Sequence, residues 1–429
     1  MDDGFFLFRR RMKLMFCQFT FNNLFYINLP PHMRYNQLSN ERILSIDAFR
    51  GITILVMIFV NELAGVRDIP SWMKHMHADE DAMSFVDVVF PAFLFIVGMS
   101  IPFAINSRLA KGDSFIKLQQ HILFRTLGLL VLGFFMVNAE GGYDEKAMGI
   151  SINLWALLFF AAVILIWKIY RTSNKILVYS IRAAGFIILI VLAIIYKGEN
   201  GQHITPRWWG ILGLIGWAYL YSCIIYQLLR GNKYLLVIMI AVCIAFYAIG
   251  KMPVVKDSTW THWISAQGGN AAHTSVVLCG VVVSLLFFDR AKDLRGRLRF
   301  LQVLIFTVLL FVAGYFLRPA FKISKIYATP TWCLYSAAFC TLVFAFLYWL
   351  IDKKKIEDWT AFLKPAGSNP LLTYIIPDII YYLTALIGIV LVPDIFRSGW
   401  MGILWSAFFA VAVMGIVILL NRMKLKLQL

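Results

Sequence analysis

The sequence predicts an all-α fold, a polytopic membrane bundle of about 10–12 transmembrane helices. Three observations predict it. Sixty per cent of the 429 residues are hydrophobic, with a mean hydropathy of +0.75, more than a soluble interior of this size can hide. Apolar runs of about 18 residues or more, long enough to cross a bilayer, recur along the chain. The 40 Lys and Arg outnumber the 23 Asp and Glu, and most of the basic residues fall in alternate loops. That alternation is the positive-inside pattern. It argues against the other meaning of a +17 net charge, a nucleic-acid surface, so no nucleic-acid partner is expected.

Twelve spans can be placed in order: 46–65, 84–105, 119–138, 150–169, 177–196, 208–229, 233–249, 271–289, 298–317, 330–351, 371–392 and 399–421. The short seventh and the tightly connected last pair are the weakest, so ten or eleven would also fit. Basic loops separate alternate pairs: Arg108, Lys111 and Lys117, then Arg290 to Arg299, then Lys353, Lys354 and Lys355. With Arg34 and Arg42 ahead of the first span and Arg50 at its inner end, this places both termini in the cytoplasm and the loop after span one outside. Residues 1–40 fit no span. Phe5–Leu29 is aromatic but broken by RRRMK and FNN, and it lacks the order of a signal peptide. A disordered or interfacial tail over 1–40, with translation starting as late as Met33, is expected ahead of one membrane domain, 41–429. No internal repeat is evident, which weakens an inverted-repeat transporter.

The cysteines Cys17, Cys223, Cys243, Cys279, Cys333 and Cys340 lack CxxC or zinc-type spacing, and five lie in apolar segments. They read as small core residues, with neither a disulfide framework nor a metal site.

Polar residues within or beside spans are costly and therefore informative. Asp47 and Arg50 share a helix face at the inner mouth of span one, either as an interfacial ion pair or as the frame of an entrance for a phosphorylated ligand. Asn61 and Glu62 end that span; Asn61 reads as a helix cap, or as an amide donor to a carbonyl oxygen. His75 and His77 follow, among Lys74, Asp79, Glu80 and Asp81. A solvated polar loop competes there with a general base or nucleophile, which would need shielding from the acids. Asp87 opens span two, where it suits a helix N-terminus or could orient a histidine. Pro91 should kink that span. Arg125 and Arg182 lie near cytoplasmic ends, where snorkelling explains them. The Arg290–Arg299 loop suits anionic lipid or cofactor phosphates. In the outer segment TWTHWISAQGGNAAHTS, Trp260, Trp263, His262, Gln267, Asn270 and His273 combine aromatic faces with amides, as sugar sites and interfacial belts both do. Asn369, Tyr374 and Asp378 lie in GSNPLLTYIIPDIIYYL, with Asp378 near mid-membrane beside Pro377 and expected to face a cavity or partner.

At Arg42–Ile105 the segments RILSIDAFRGITILVMIFVNELAG, PSWMKH and FVDVVFPAFLFIVGMSIPF resemble the heparan-α-glucosaminide N-acetyltransferase family of transmembrane acetyltransferases, specifically its bacterial members. PAGSNPLLTYI is a weaker match. The resemblance implies a multi-pass enzyme of the bacterial inner membrane, with acetyl-CoA as co-substrate and no metal. It would move acetyl across the membrane to an amino sugar or glycan. By the same resemblance His75 of the KH pair is the active-site histidine, with His77 left open because the animal spacing to Asp87 favours it. Asn61 and Asp87 complete the catalytic group. Asp47 and Arg50 carry the DxFRG motif. Arg50 and other inner basic residues, Arg125 among them, are expected near the CoA phosphates, and Glu62, Trp260, His262, Asn270 and Asp378 at the acceptor. The histidine acts as base on the acceptor amine or as a transient acetyl carrier. Membrane lipids are the expected surroundings, and lipid-facing aromatics permit a homodimer. The rival reading is a permease for an amino sugar or related solute; a third is a non-catalytic envelope binder.

Overall fold

The computed structural model describes Leu38, residues 43–289 and residues 296–429. Apart from Leu38, the tail expected over 1–40 lies outside the described residues, as do Cys17 and residues 290–295 of the basic loop.

Each of the twelve expected spans is a helix. They are α1 (Leu44–Leu63), α2 (Val89–Ala110), α3 (Phe115–Ala139), α4 (Ile152–Trp167), α5 (Lys175–Ile195), α6 (Gly210–Leu228), α7 (Lys233–Gly250), α8 (His262–Phe288), α9 (Gly296–Phe321), α10 (Pro330–Leu347), α11 (Pro370–Leu386) and α12 (Gly399–Arg422). Ten of these helical segments are long and apolar enough to cross a membrane, while α4 and α11 are shorter. The chain is a multi-pass membrane protein. Polar residues at the turns start several helices. Ser114, Ser151, Asn174, Asn232 and Thr329 each accept a hydrogen bond from a backbone N–H of the first turn, and Pro330 follows Thr329 where its missing N–H costs nothing.

The bundle is built around α8, 89% buried along its apolar window, whereas α5 is 17% buried and runs along the outside. α8 packs on α2, α6, α7 and α10. Its crossing with α2 is backbone to backbone: a side chain at Gly98 would overlap the Val277 carbonyl, and one at Gly280 the Phe95 carbonyl. Small residues allow this approach, which maximises packing where no hydrophobic drive separates helix from lipid. Cys223, Cys243, Cys279, Cys333 and Cys340 are free and buried.

Two local expectations are corrected. Much of the outer segment expected before the eighth span is helical, because α8 begins at His262 rather than near 271 and packs against α7 through Gly250 and Tyr247. Pro91 does not lie in the interior of α2, where a proline would kink it. It sits in the first turn, where its absent N–H would have had no helical partner, and the proline inside the helix is Pro102.

Candidate active site

The α1–α2 loop is irregular, with single 3-10 turns at Ser71–Met73 and Val86–Val88. Two other segments hold it. Arg67 and Arg397–Gly399 exchange backbone hydrogen bonds of 2.8 and 2.9 Å. On the other side the α9–α10 connection clamps it: Asp81 accepts from Arg318 Nε at 2.9 Å and from the Ile323 N–H at 2.8 Å. Ser324 donates to the Ala78 carbonyl at 2.7 Å, and the Tyr327 hydroxyl to Asp79 at 3.3 Å. The loop is therefore positioned by contacts on both flanks rather than by its own secondary structure.

Within this frame Asp87 and His75 meet. Asp87 Oδ1 lies 2.7 Å from His75 Nδ1; the aspartate side chain is 2% exposed and the imidazole 39%. Its second oxygen accepts the Ser84 and Met76 N–H groups at 3.1 and 3.3 Å. A carboxylate so held is an acceptor only, so His75 carries its proton on Nδ1 and presents the Nε2 lone pair outward. The 3-10 turn carrying Asp87 is fixed from behind, where Trp332 Nε1 donates to the Asp87 carbonyl at 3.1 Å. His273 of α8 meets Phe90 and Trp332 edge-on, with ring centroids 5.2 and 6.3 Å away. His273 Nδ1 is buried with no hydrogen-bond partner among the described residues.

One more group reaches the dyad. Lys325 Nζ lies 3.1 Å from both His75 ring nitrogens. Equal reach to both nitrogens sets Nζ over the ring face rather than along the in-plane Nε2 lone pair, so the ammonium lies against the imidazole and leaves that lone pair open. Burial lowers the Lys325 pKa from its ordinary value of 10.5, and the charge of Asp87 acts in the opposite sense.

Asp79, Glu80 and Asp81 do not crowd the imidazole. Asp81 and Asp79 are engaged by the α9–α10 segment as above, and Glu80 accepts the His77 N–H at 2.9 Å. His77 is exposed, and among the described residues its ring makes no hydrogen bond or ion pair. No group of three or more His, Cys, Asp or Glu gathers as a metal site would among the described residues.

Around this centre the remaining predicted residues divide. Asn61 is exposed at the end of α1 and does not cap it; the helix ends through backbone bonds from Ala64 and Gly65. Glu62 accepts from Trp405 Nε1 at 2.8 Å and from the Tyr381 hydroxyl, linking α1 to α11 and α12. Asp378, half-buried on α11, has Glu140 as its charged neighbour. Trp260 is 89% exposed, His262 Nδ1 faces the Lys256 carbonyl at 3.0 Å, and Asn270 donates to Gln267 at 2.7 Å. No hydrogen bond, ion pair or ring contact among the described residues joins these three to His75. α8 approaches the dyad through His273 instead.

Asp47 and Arg50 lie at the other end. Arg50 donates to Asp47 at 3.2 Å, to the Gly367 carbonyl at 3.0 Å and to Ser100 Oγ at 3.0 Å, so it binds α1, α2 and the short helix Lys364–Ser368 together. A Cβ on Gly367 would fall 2.5 Å from the Asp47 carbonyl oxygen. Fully buried Asn369 donates to Asn421 and to the Leu425 carbonyl, both at 2.9 Å. The two sequence segments DAFRG and PAGSNP thus form one packed unit. Arg125 is apart from it, its guanidinium 4.9 Å over the Tyr219 ring.

Ser100 follows Asp87 by thirteen residues, so the Arg50 cluster sits about 20 Å below the dyad along α2. Between them lies an apolar cavity of about 470 Å³, lined by Ile52, Thr53 and Val56 of α1, Val89 and Ala92 of α2, and Ser84.

Sequence reading missed Lys325 and Trp332. One signal was present for the first: Arg318, Lys322 and Lys325 are three cations in a loop assigned to the outer side, against the positive-inside tendency.

The profile of a domain of unknown function (DUF5009) matches residues 42–268, more than half of the chain. Heparan-alpha-glucosaminide N-acetyltransferase of Homo sapiens is 36% identical over 110 residues, 26% of this chain and 14% of that protein. The Mus musculus protein of the same name is 34% identical over 138 residues, 30% and 20% respectively. The chain therefore spans less than a quarter of the length of the curated relatives it matches.

Proposed function

The chain belongs to the DUF5009 family, and from that premise we propose that it is an acetyl-CoA-dependent N-acetyltransferase acting on an amino sugar or glycan acceptor. The observation that carries the reading is the His75–Asp87 pair: a half-exposed imidazole whose Nδ1 is fixed by a buried, fully bonded carboxylate. The relatives' name supplies the reaction class.

Acetyl-CoA approaches at the Arg50 end, which the charge distribution assigns to the cytoplasm. Arg50 and Asp47 shape the entrance, and Lys364, on the short helix bonded to Arg50, and the run Lys353–Lys355 on the same cytoplasmic side add the charge that favours phosphates. The apolar cavity between α1 and α2 suits the arm that carries the thioester toward the dyad. His75 Nε2 takes a proton from the acceptor amine as its nitrogen attacks the thioester carbon. The new C–N bond forms, the carbonyl π electrons move to oxygen, and their return expels the CoA thiolate. The imidazolium, stabilised by Asp87, returns the proton to sulfur. Exposed Asn61 at the end of α1 supplies an amide donor for the carbonyl oxygen.

Purified protein supplied with labelled acetyl-CoA and glucosamine tests the reading. The expected result is labelled N-acetyl product with one free thiol per acetyl transferred, and a higher Tm with CoA present. Glucosamine uptake into liposomes lacking CoA, without acetylation, would support the permease instead.

A further inference from the structure

We propose that Lys325 is a catalytic residue of this site, its ammonium resting against the His75 ring and pairing with the thioester oxygen in the transition state. The inference rests on the acetyltransferase reading and extends it to a residue 250 positions from the histidine.

The geometry has two parts. Nζ stands 3.1 Å from each ring nitrogen, over the ring and beside the atom that must accept the proton. The Nε2 lone pair lies in the ring plane and stays open to the acceptor amine. The ammonium beside it has no carboxylate ion pair among the described residues, and the chemistry supplies an anion. When the amine attacks, a full negative charge develops on the former carbonyl oxygen, beside the carbon that His75 serves. A half-buried cation on a flexible stem is suited to follow that charge.

The setting of Lys325 is specific. The backbone on either side is fixed to the His75 loop by Ile323 N–H to Asp81, Ser324 to Ala78 and Tyr327 to Asp79, while the lysine side chain makes no carboxylate ion pair among the described residues. The charged groups facing it are Asp87 on the α2 turn and His75 itself; Asp81 is paired with Arg318, and Asp79 accepts from Tyr327. A desolvated ammonium held beside an imidazole costs stability unless it has a task, because burial favours its neutral form.

The test compares kcat, KM and Tm of wild type, K325M and K325R with labelled acetyl-CoA and glucosamine, from neutral to alkaline pH. K325M is expected to lose about 100-fold or more in kcat with little change in KM for acetyl-CoA, the pattern of a group acting in the transition state. Its Tm should not fall, since an apolar chain of similar length replaces a desolvated charge. In wild type, activity should decline on the alkaline side as Lys325 deprotonates, earlier than a free lysine would. K325R, charged throughout, should recover part of kcat and lack that decline. K325M within about threefold of wild type would overturn the proposal. If K325M fails to fold, K325R decides: an unchanged alkaline decline overturns it. Wild type without any transfer would defeat the acetyltransferase reading and this inference together, whereas active wild type with equally active K325M defeats this one alone.

Discussion

The two polar ends of α1 are built from similar residue types and do different work. At the Arg50 end every strong group is engaged: the guanidinium joins two helices and a carbonyl, Gly367 lies against the Asp47 backbone, and Asn369 is fully satisfied. At the His75 end the carboxylate is equally engaged, yet the imidazole it holds is half-exposed and keeps one nitrogen for outside use. The contrast separates a polar group that fastens helices from one that is held so that it can react. Loss of the first kind costs fold; loss of the second costs rate.

Substitutions can break or sharpen that contrast. H75A should reduce acetyl transfer by about 10²–10⁴-fold, because the base disappears, with a modest fall in Tm as buried Asp87 loses its Nδ1–H donor. D87N follows, at about 10²–10³-fold in kcat, since an amide can present N–H to Nδ1 and reverse the tautomer. G367V should act oppositely, lowering stability by about 1–3 kcal/mol in denaturant or thermal titration as its side chain pushes α1 from the short helix. R50Q should do the same by about 1.5–3 kcal/mol, leaving Asp47, the Gly367 carbonyl and Ser100 short of a donor. If R50Q instead raised only KM for acetyl-CoA, Arg50 would be a phosphate ligand and the contrast would fail. H77A should change neither rate nor Tm by more than a small factor, its ring having no bonded partner among the described residues.

A weaker dependence belongs to Lys325. Its lowered pKa means that the folded state binds this proton less well than the unfolded chain. Its contribution to stability therefore rises with pH between the lowered folded value and the ordinary 10.5. K325M should flatten stability across that alkaline window.

Much of the fold was legible because bilayer-length apolar runs leave little choice of element, and the twelve spans follow the hydrophobic pattern closely. The start of α8 was not, since Gly268, Gly269 and Asn270 are poor helix formers, and packing against α7 overrides their preference. In the site, the residues alone brought forward His75, His77 and Asp87, and the resemblance favoured His75 with His77 left open; the hydrogen bond between Asp87 and the His75 ring is visible only in the structure. Lys325 was hidden because it reaches the loop from another helix connection, through a clamp that involves Asp79, Asp81 and Arg318 and that no local spacing encodes. Arg50 was visible, but its engagement by Gly367 and Ser100 was not.

The central claim is that a thioester taken up at the Arg50 end meets the His75 imidazole at the other. The direct measurement uses proteoliposomes of uniform protein orientation, with acetyl-CoA confined to the Arg50 side and glucosamine to the His75 side. The account predicts N-acetylated sugar in the His75 compartment and free CoA in the other. Product formed only when both reactants share one compartment would contradict it.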